Sequence, residues 1–210
     1  MSTAALAEMR TAGEMVRLRD GVQVWVRSVL AGDEPALLLF LEELCPEALR
    51  LRFFSGAIEL GRAAHWATHP VTGLYGLVAQ DENGRIVGHA LYVQLAPERA
   101  EVAVEVADSL HGCGLGTILI ERLAMIAERR GITHFVAEVL CENHAMVDVF
   151  REGFDARVVR RDGPQERVEF FTAGWRLALE RFSPSVLPSD RRTASELADA
   201  PERAMTHAGL

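Results

Sequence analysis

A chain of 210 residues, 49% of them hydrophobic, has enough apolar material for one sizeable core, so a single domain plus tails is expected. A net charge of -8 argues against general affinity for nucleic acid or an anionic membrane, both of which rely on Lys/Arg patches. Three cysteines without C-x-x-C spacing and seven scattered histidines suggest neither a disulfide framework nor a metal site, and the odd thiol count fits a reduced, cytoplasmic protein.

Residues 1–21 read as an N-terminal arm, with Met1–Met15 rich in Ala and Met, ahead of a domain at 22–182. From Gln23, Val24 and Val26 alternate with Trp25 and Arg27, which predicts a first strand. Ala31-Gly32-Asp33-Glu34-Pro35 predicts a helix start, with Asp33 as N-cap and an acidic residue and proline in the first turn. That helix runs to about Leu44, and Pro46 starts a second one carrying Leu49, Leu51, Phe53 and Phe54. Leu74–Gln80 and Arg85–Leu95 read as strands around Asp81-Glu82-Asn83-Gly84, whose Asn-Gly pair signals a hairpin. Glu101–Ala107 continues the meander.

Thr117–Arg130 gathers Ile118, Leu119, Leu123, Ile126 and Ala127 on one face and stops at Gly131, as an amphipathic helix packed on a sheet would. Thr133–Leu140 reads as a mostly buried strand and Asn143–Arg151 as a short helix. Ala156–Arg161 and Glu166–Thr172 are two further strands joined through Asp162-Gly163-Pro164. The order β-α-α-β-β-β-α-β-α-β-β implies an α/β (α+β) fold, a mixed and mostly antiparallel sheet flanked by helices. Ser183–Leu210 holds Pro184, Pro188 and Pro201 with few large apolar residues, and is expected to be a disordered tail. No apolar stretch reaches the roughly 20 residues that span a bilayer.

The strongest motif is His111-Gly112-Cys113-Gly114-Leu115-Gly116, between the strand Glu101–Ala107 and the helix from Thr117. The first amides of a helix lack internal acceptors, the macrodipole adds about half a positive charge, and glycines admit a ligand close to the main chain, so a phosphate is expected here. The glycines fall as G-x-G-x-G rather than the dinucleotide G-x-G-x-x-G, and no acidic residue closes the following strand. A triphosphate P-loop needs a lysine, and the chain has none. With those readings removed, the loop resembles the coenzyme A diphosphate loop of the GNAT superfamily of N-acetyltransferases.

Two further segments carry that resemblance. Asn143 with Ala145, Met146 and Phe150, leading to Gly153-Phe154, is similar to the family's Asn-led helix beside the pantetheine. Leu49-Arg50-Leu51-Arg52-Phe53-Phe54-Ser55 resembles the R-F-F-S segment of bacterial protein lysine acetyltransferases of the Pat type, with Cys45 where a serine is usual. The resemblance implies acetyl-CoA as co-substrate, bound along Ala103, Val104, Glu105 and Val106, by the loop His111, Gly112, Cys113, Gly114, Leu115, Gly116 and Thr117, and by Asn143 and Phe150. The family form usually has Gln or Arg at the position of His111 and often Arg or Lys at that of Cys113. Diphosphate binding is therefore expected to rest on backbone amides more than on a cation. A thiol at a helix start can also be reactive, although Cys113 more simply fits the loop as a small residue.

An attacking lysine has a pKa near 10.4, so presenting it neutral at pH 7 costs about 4 to 5 kcal/mol unless a base takes the proton. Glu101 and Glu105 share one face of their strand with Ala103 and stand about 13 Å apart at strand rise. Glu105 lies nearer the loop and Glu101 nearer the acyl end. The resemblance puts the general base at Glu101, with Glu105 as the second candidate, and a buried position would raise its pKa. Phe150 stands where many relatives carry a tyrosine acid, and the only tyrosines are Tyr75 and Tyr92. The implied activity is acetyl transfer to an amine, with a lysine-bearing protein as the expected partner and no metal, nucleic acid or membrane. A small-molecule amine or antibiotic acceptor, or a non-catalytic acyl-CoA-sensing module, are the alternatives.

Overall fold

The computed structural model describes residues 13–54, 59–69 and 71–174. Residues 1–12 of the expected arm and the whole expected tail, Ser183–Leu210, lie outside the described residues. One sheet contains β1 (Gly13–Arg17), β2 (Gln23–Ser28), β3 (Leu74–Gln80), β4 (Ile86–Ala96), β5 (Arg99–Val106), β6 (His134–Leu140), β7 (Arg157–Asp162) and β8 (Gln165–Phe171). Its spatial order is β1-β2-β3-β4-β5-β6-β8-β7, antiparallel at every junction but the parallel one between β5 and β6. The longer helices among the described residues are α1 (Glu34–Glu43), α2 (Pro46–Phe53), α3 (Leu60–Thr68), α4 (Leu115–Arg129) and α5 (His144–Phe154). This is the expected mixed, mostly antiparallel sheet flanked by helices. None of these helices is long and apolar enough to cross a membrane.

Side chains alternate along the strands and so divide the core into two layers. Tyr75, Leu77 and Ala79 of β3 join Leu119, Leu123 and Ile126 of α4 and Phe150 and Phe154 of α5 on one face. Leu74 and Val78 of the same strand join Leu37, Phe40 and Leu41 of α1 and Ala64 and Ala67 of α3 on the other. Gly88 on β4 sets the depth of α4: a Cβ there would stand 3.0 Å from Leu115 and 3.1 Å from Leu119. The missing side chain lets the first turn of α4 sit directly on the sheet, beside the end of β5.

Three local features differ from the sequence-based expectation. The strand β1 lies inside the expected arm, paired with β2 from Gly13↔Arg27 to Arg17↔Gln23. Helix α3 was not anticipated, because its inward face is built from the small residues Ala64 and Ala67 rather than from large apolar ones. Asp33 occupies the N-cap position of α1 but makes no cap hydrogen bond. Its carboxylate instead takes both Arg27 guanidinium nitrogens, at 2.7 and 2.8 Å, and the Leu30 amide at 2.8 Å. Arg27 and Asp33 are both about 5% exposed, and a buried charge keeps its place only when paired and hydrogen-bonded.

Candidate active site

Strands β5 and β6 pair only at Arg99↔His134, Ala100↔Phe135 and Glu101↔Val136. Past that point both continue, β5 through Val102–Val106 and β6 through Ala137–Leu140, without pairing to each other. Strand β6 keeps a ladder with β8 along its whole length, from His134↔Phe171 to Leu140↔Gln165, so the opening lies on its β5 side. Residues of both separated stretches line a cleft of about 530 Å³. Strand edges carry polar groups that need partners, and an extended ligand in this gap can take the place of the missing ladder.

The glycine loop closes one end of the cleft. Helix α4 starts at Leu115, two residues earlier than expected, with Gly114 at its N-cap in a left-handed conformation (φ 89°) that glycine adopts without strain. The Ile118 amide donates to the Gly114 carbonyl at 3.1 Å. The amides of His111 and Cys113 donate internally, to Asp108 at 3.3 Å and Leu110 at 3.4 Å. Those of Gly112, Gly114, Leu115, Gly116 and Thr117 have no internal acceptor among the described residues. Together with the dipole of α4, they form a local concentration of donors suited to an anion.

Every residue of the expected coenzyme set lines the cleft except Cys113. The Cys113 thiol donates to Asp20 Oδ2 at 3.1 Å, and that hydrogen bond to a carboxylate, with some burial, raises its pKa. A low-pKa thiolate at this position is therefore not supported. The His111 ring hydrogen-bonds back to the Val106 carbonyl at 3.0 Å, joining the end of β5 to the loop. One lining residue that sequence reading missed is Arg19, from the turn between β1 and β2. It brings a cation beside the backbone donors of the loop.

The two glutamates of β5 lie in opposite environments. Glu105 is buried, its side chain 4% exposed, with Arg52 Nε at 2.5 Å and His89 Nδ1 at 3.1 Å. Burial pushes its carboxyl up, but the charges of Arg52 and His89 and their hydrogen bonds outweigh this and hold it at about 2. A base that weak and that firmly paired is a poor acceptor for a proton near neutrality. Glu101 is exposed, at the last paired position before the strands part, and makes no ion pair among the described residues. The expectation of a buried base is corrected on this point: Val102 and Val104 point to the opposite face of β5, into the α4 layer of the core.

Helix α2, which carries the Arg-Phe-Phe segment, forms one wall through Ala48, Leu51 and Arg52, with Phe54 following its end. Polar contacts fix it at three places: the Cys45 amide to Asp108 Oδ2 at 3.1 Å, Arg52 to Glu105, and Arg50 to Glu142 at 2.6 Å. Opposite it, Asn143 caps α5 by accepting the Met146 amide at 3.1 Å through Oδ1, which leaves its side-chain NH₂ for another partner. Phe150 is 2% exposed and packs on Phe170 while contributing to the cleft wall. Tyr75 and Tyr92 do not line the cleft, and burial raises both phenols.

The histidines are less scattered in space than in sequence. Glu34 of α1, His65 of α3 and His69 just past the end of α3 bring one donor atom each within 4.8 Å of one another. Tertiary packing of α1 on α3 makes this cluster, although the i, i+4 spacing of the histidines was visible. The His69 Nδ1 atom is engaged with α3 at the His65 carbonyl, 2.9 Å away, and none of the three lines the cleft.

With the geometry in view, likeness to known proteins becomes informative. Residues 41–154, more than half of the chain, match the acetyltransferase (GNAT) family. Acetyltransferase Pat of Mycolicibacterium smegmatis is 31% identical over 141 residues, which make up 62% of this chain and 40% of that protein. The chain thus spans well under half the length of that relative. The crystal structure of the GNAT domain of S. lividans PAT is similar at 30% identity and a TM-score of 0.69, covering 76% of this chain and 97% of that domain. A cAMP-binding acyltransferase from Mycobacterium smegmatis shares the fold, with a TM-score of 0.58 at 21% identity over 98% of this chain and 61% of that one.

Proposed function

The chain belongs to the GNAT acetyltransferase family, and from that premise we propose that it moves an acetyl group from acetyl-CoA to a lysine ε-amine of a protein substrate. The observation that carries this reading is the parting of β5 and β6 at Glu101, next to a glycine loop rich in unpaired amides. The coenzyme's diphosphate rests on the amides that start α4. Its pantetheine runs along the unpaired edge of β5 and makes the hydrogen bonds β6 does not. The thioester then reaches the apex of the split.

At the apex, Glu101 is the general base and takes the proton of the attacking amine through water. Loss of that proton is what makes the amine a nucleophile, worth the roughly 4 to 5 kcal/mol separating a lysine from its neutral form at pH 7. Main-chain N–H groups of β5 around Ala103–Glu105 stabilise the tetrahedral oxyanion. A thiolate with a pKa near 8.5 leaves without a dedicated acid, which agrees with Phe150 and with tyrosines that do not line the cleft. The transfer as read uses no metal.

A protein acceptor is favoured by the Arg-Phe-Phe helix α2 on the cleft wall and by the likeness to two proteins carrying the Pat name. The test offers labelled acetyl-CoA with, separately, a lysine-bearing protein and a panel of small amines including an aminoglycoside. Hydroxylamine-stable label on protein lysine supports the reading. Label confined to a small amine overturns the acceptor, and coenzyme binding without turnover overturns the enzyme reading in favour of a sensing module.

A further inference from the structure

The glycine loop His111–Gly116 carries no Lys or Arg of its own, and the structure brings one to it from elsewhere. The turn between β1 and β2 is docked onto the loop. The Arg19 amide donates to the Cys113 carbonyl at 3.1 Å, and the Cys113 thiol donates to Asp20 Oδ2 at 3.1 Å. The turn is itself closed: the Leu18 amide donates to Val22 at 2.7 Å, and the Val22 amide to Asp20 Oδ1 at 3.1 Å. Both Asp20 oxygens are thereby occupied, and these two hydrogen bonds lower its pKa, the thiol contributing most. The carboxylate acts as a latch between turn and loop.

This docking lays the Arg19 side chain across Gly114. A Cβ at Gly114 would stand 3.3 Å from Arg19 Nε and 3.6 Å from its Cδ and Cγ, so the stem follows the main chain that carries the unpaired amides. Arg19 lines the cleft together with Gly112, Gly114 and Leu115. We propose that Arg19 binds the phosphates of the coenzyme, replacing from the β1–β2 turn the charge that the loop lacks. Guanidinium suits this role because it stays protonated and offers several donors in a fixed plane to phosphate oxygens. The inference rests on the coenzyme reading above and assigns a binding task to the segment preceding the second strand.

Calorimetry with coenzyme A tests it on the full chain and on Arg19→Lys, Arg19→Gln and Arg19→Glu. Affinity should fall in that order, by a few-fold for Lys, about tenfold for Gln and more for Glu, since one charge-assisted contact carries roughly tenfold or more. Thermal melts of the free variants separate loss of binding from loss of fold: an affinity penalty that only follows a fallen melting temperature overturns the inference. Titration with 3′-dephospho-coenzyme A identifies the phosphate: a Gln penalty that persists assigns Arg19 to the diphosphate, and one that vanishes assigns it to the 3′-phosphate. Equal affinity across the charge series overturns the inference while leaving coenzyme binding intact. Wild-type chain that binds no coenzyme overturns the underlying reading as well.

Discussion

The two ends of β5 obey different rules although they belong to one strand. At Arg99–Glu101 the strand is paired on both sides, with β4 and with β6. From Val102 to Val106 it is paired with β4 alone, and the other edge faces the cleft. Glu101 and Glu105 share a face, yet the first is exposed at the apex and the second is buried between Arg52 and His89. The same residue type thus meets two environments: one carboxylate is open to solvent, while the other, buried and doubly paired, holds a wall in place.

The contrast breaks first at Glu101. Glu101→Gln is expected to lower turnover by a factor on the order of 10²–10⁴ with coenzyme affinity nearly unchanged, and raised pH should restore part of the rate. Steady-state kinetics beside coenzyme calorimetry checks both halves. A larger turnover loss in Glu105→Gln would reverse the assignment.

Glu105→Gln should instead cost stability, on the order of 2–4 kcal/mol, because Arg52 and buried His89 lose their anionic partner. Denaturant melts measure it. Its folded-state pKa of about 2 lies below the ordinary value of 4.5, so the carboxylate's contribution is present above pH 4.5 and is lost as pH falls toward 2. Wild type should lose stability across that acid window, and Glu105→Gln should lose less. Parallel acid profiles would show that the ion pair contributes nothing net.

The glycine loop sharpens the comparison at the other end of the cleft. At Gly116 a Cβ would meet only Val106, at an ordinary 3.7 Å, so Gly116→Ala should leave the free protein as stable or up to about 1 kcal/mol more stable while weakening coenzyme A. Gly114, at φ 89°, should lose stability on conversion to Ala whether or not coenzyme is present. Thermal melts with and without coenzyme separate the two. Equal behaviour of the two variants would reduce the loop to a structural turn.

The smallest expected signal is a near-absence. All 22 Lys+Arg residues are arginine, whose guanidinium is a very poor acyl acceptor. Tag-free chain incubated with acetyl-CoA should therefore gain at most one stable acetyl group, at its N-terminal amine, and rates measured for Glu101 and Glu105 variants carry little self-modification. Several hydroxylamine-resistant acetyl groups in the intact mass would contradict this.

Much of the fold was legible because the relevant signals are local. The Asn83-Gly84 turn, the apolar face of Leu119, Leu123 and Ile126, and Asn143 as a helix start each depend on residues a few positions apart, and each element formed where expected. Helix α3 was missed because alanines pack a helix face without announcing it, and β1 because a short strand in a mixed-charge arm needs its neighbour to be recognised. At the site, the glycine loop and both glutamates were visible as motifs. Their environments were not.

By itself, the sequence determined which chemical groups exist: a glycine-rich loop without lysine, two carboxylates on one strand face, no tyrosine on the Asn143 helix, and no lysine ε-amine anywhere in the chain. Only the tertiary structure decided what those groups meet. Arg52 reaches Glu105 across 53 positions and Cys113 reaches Asp20 across 93, and no local pattern encodes such separations. Protonation, burial and the supply of charge depend on distance in space, which is why the strand that carries Glu101 was readable from the chain while the different fates of its two carboxylates were not.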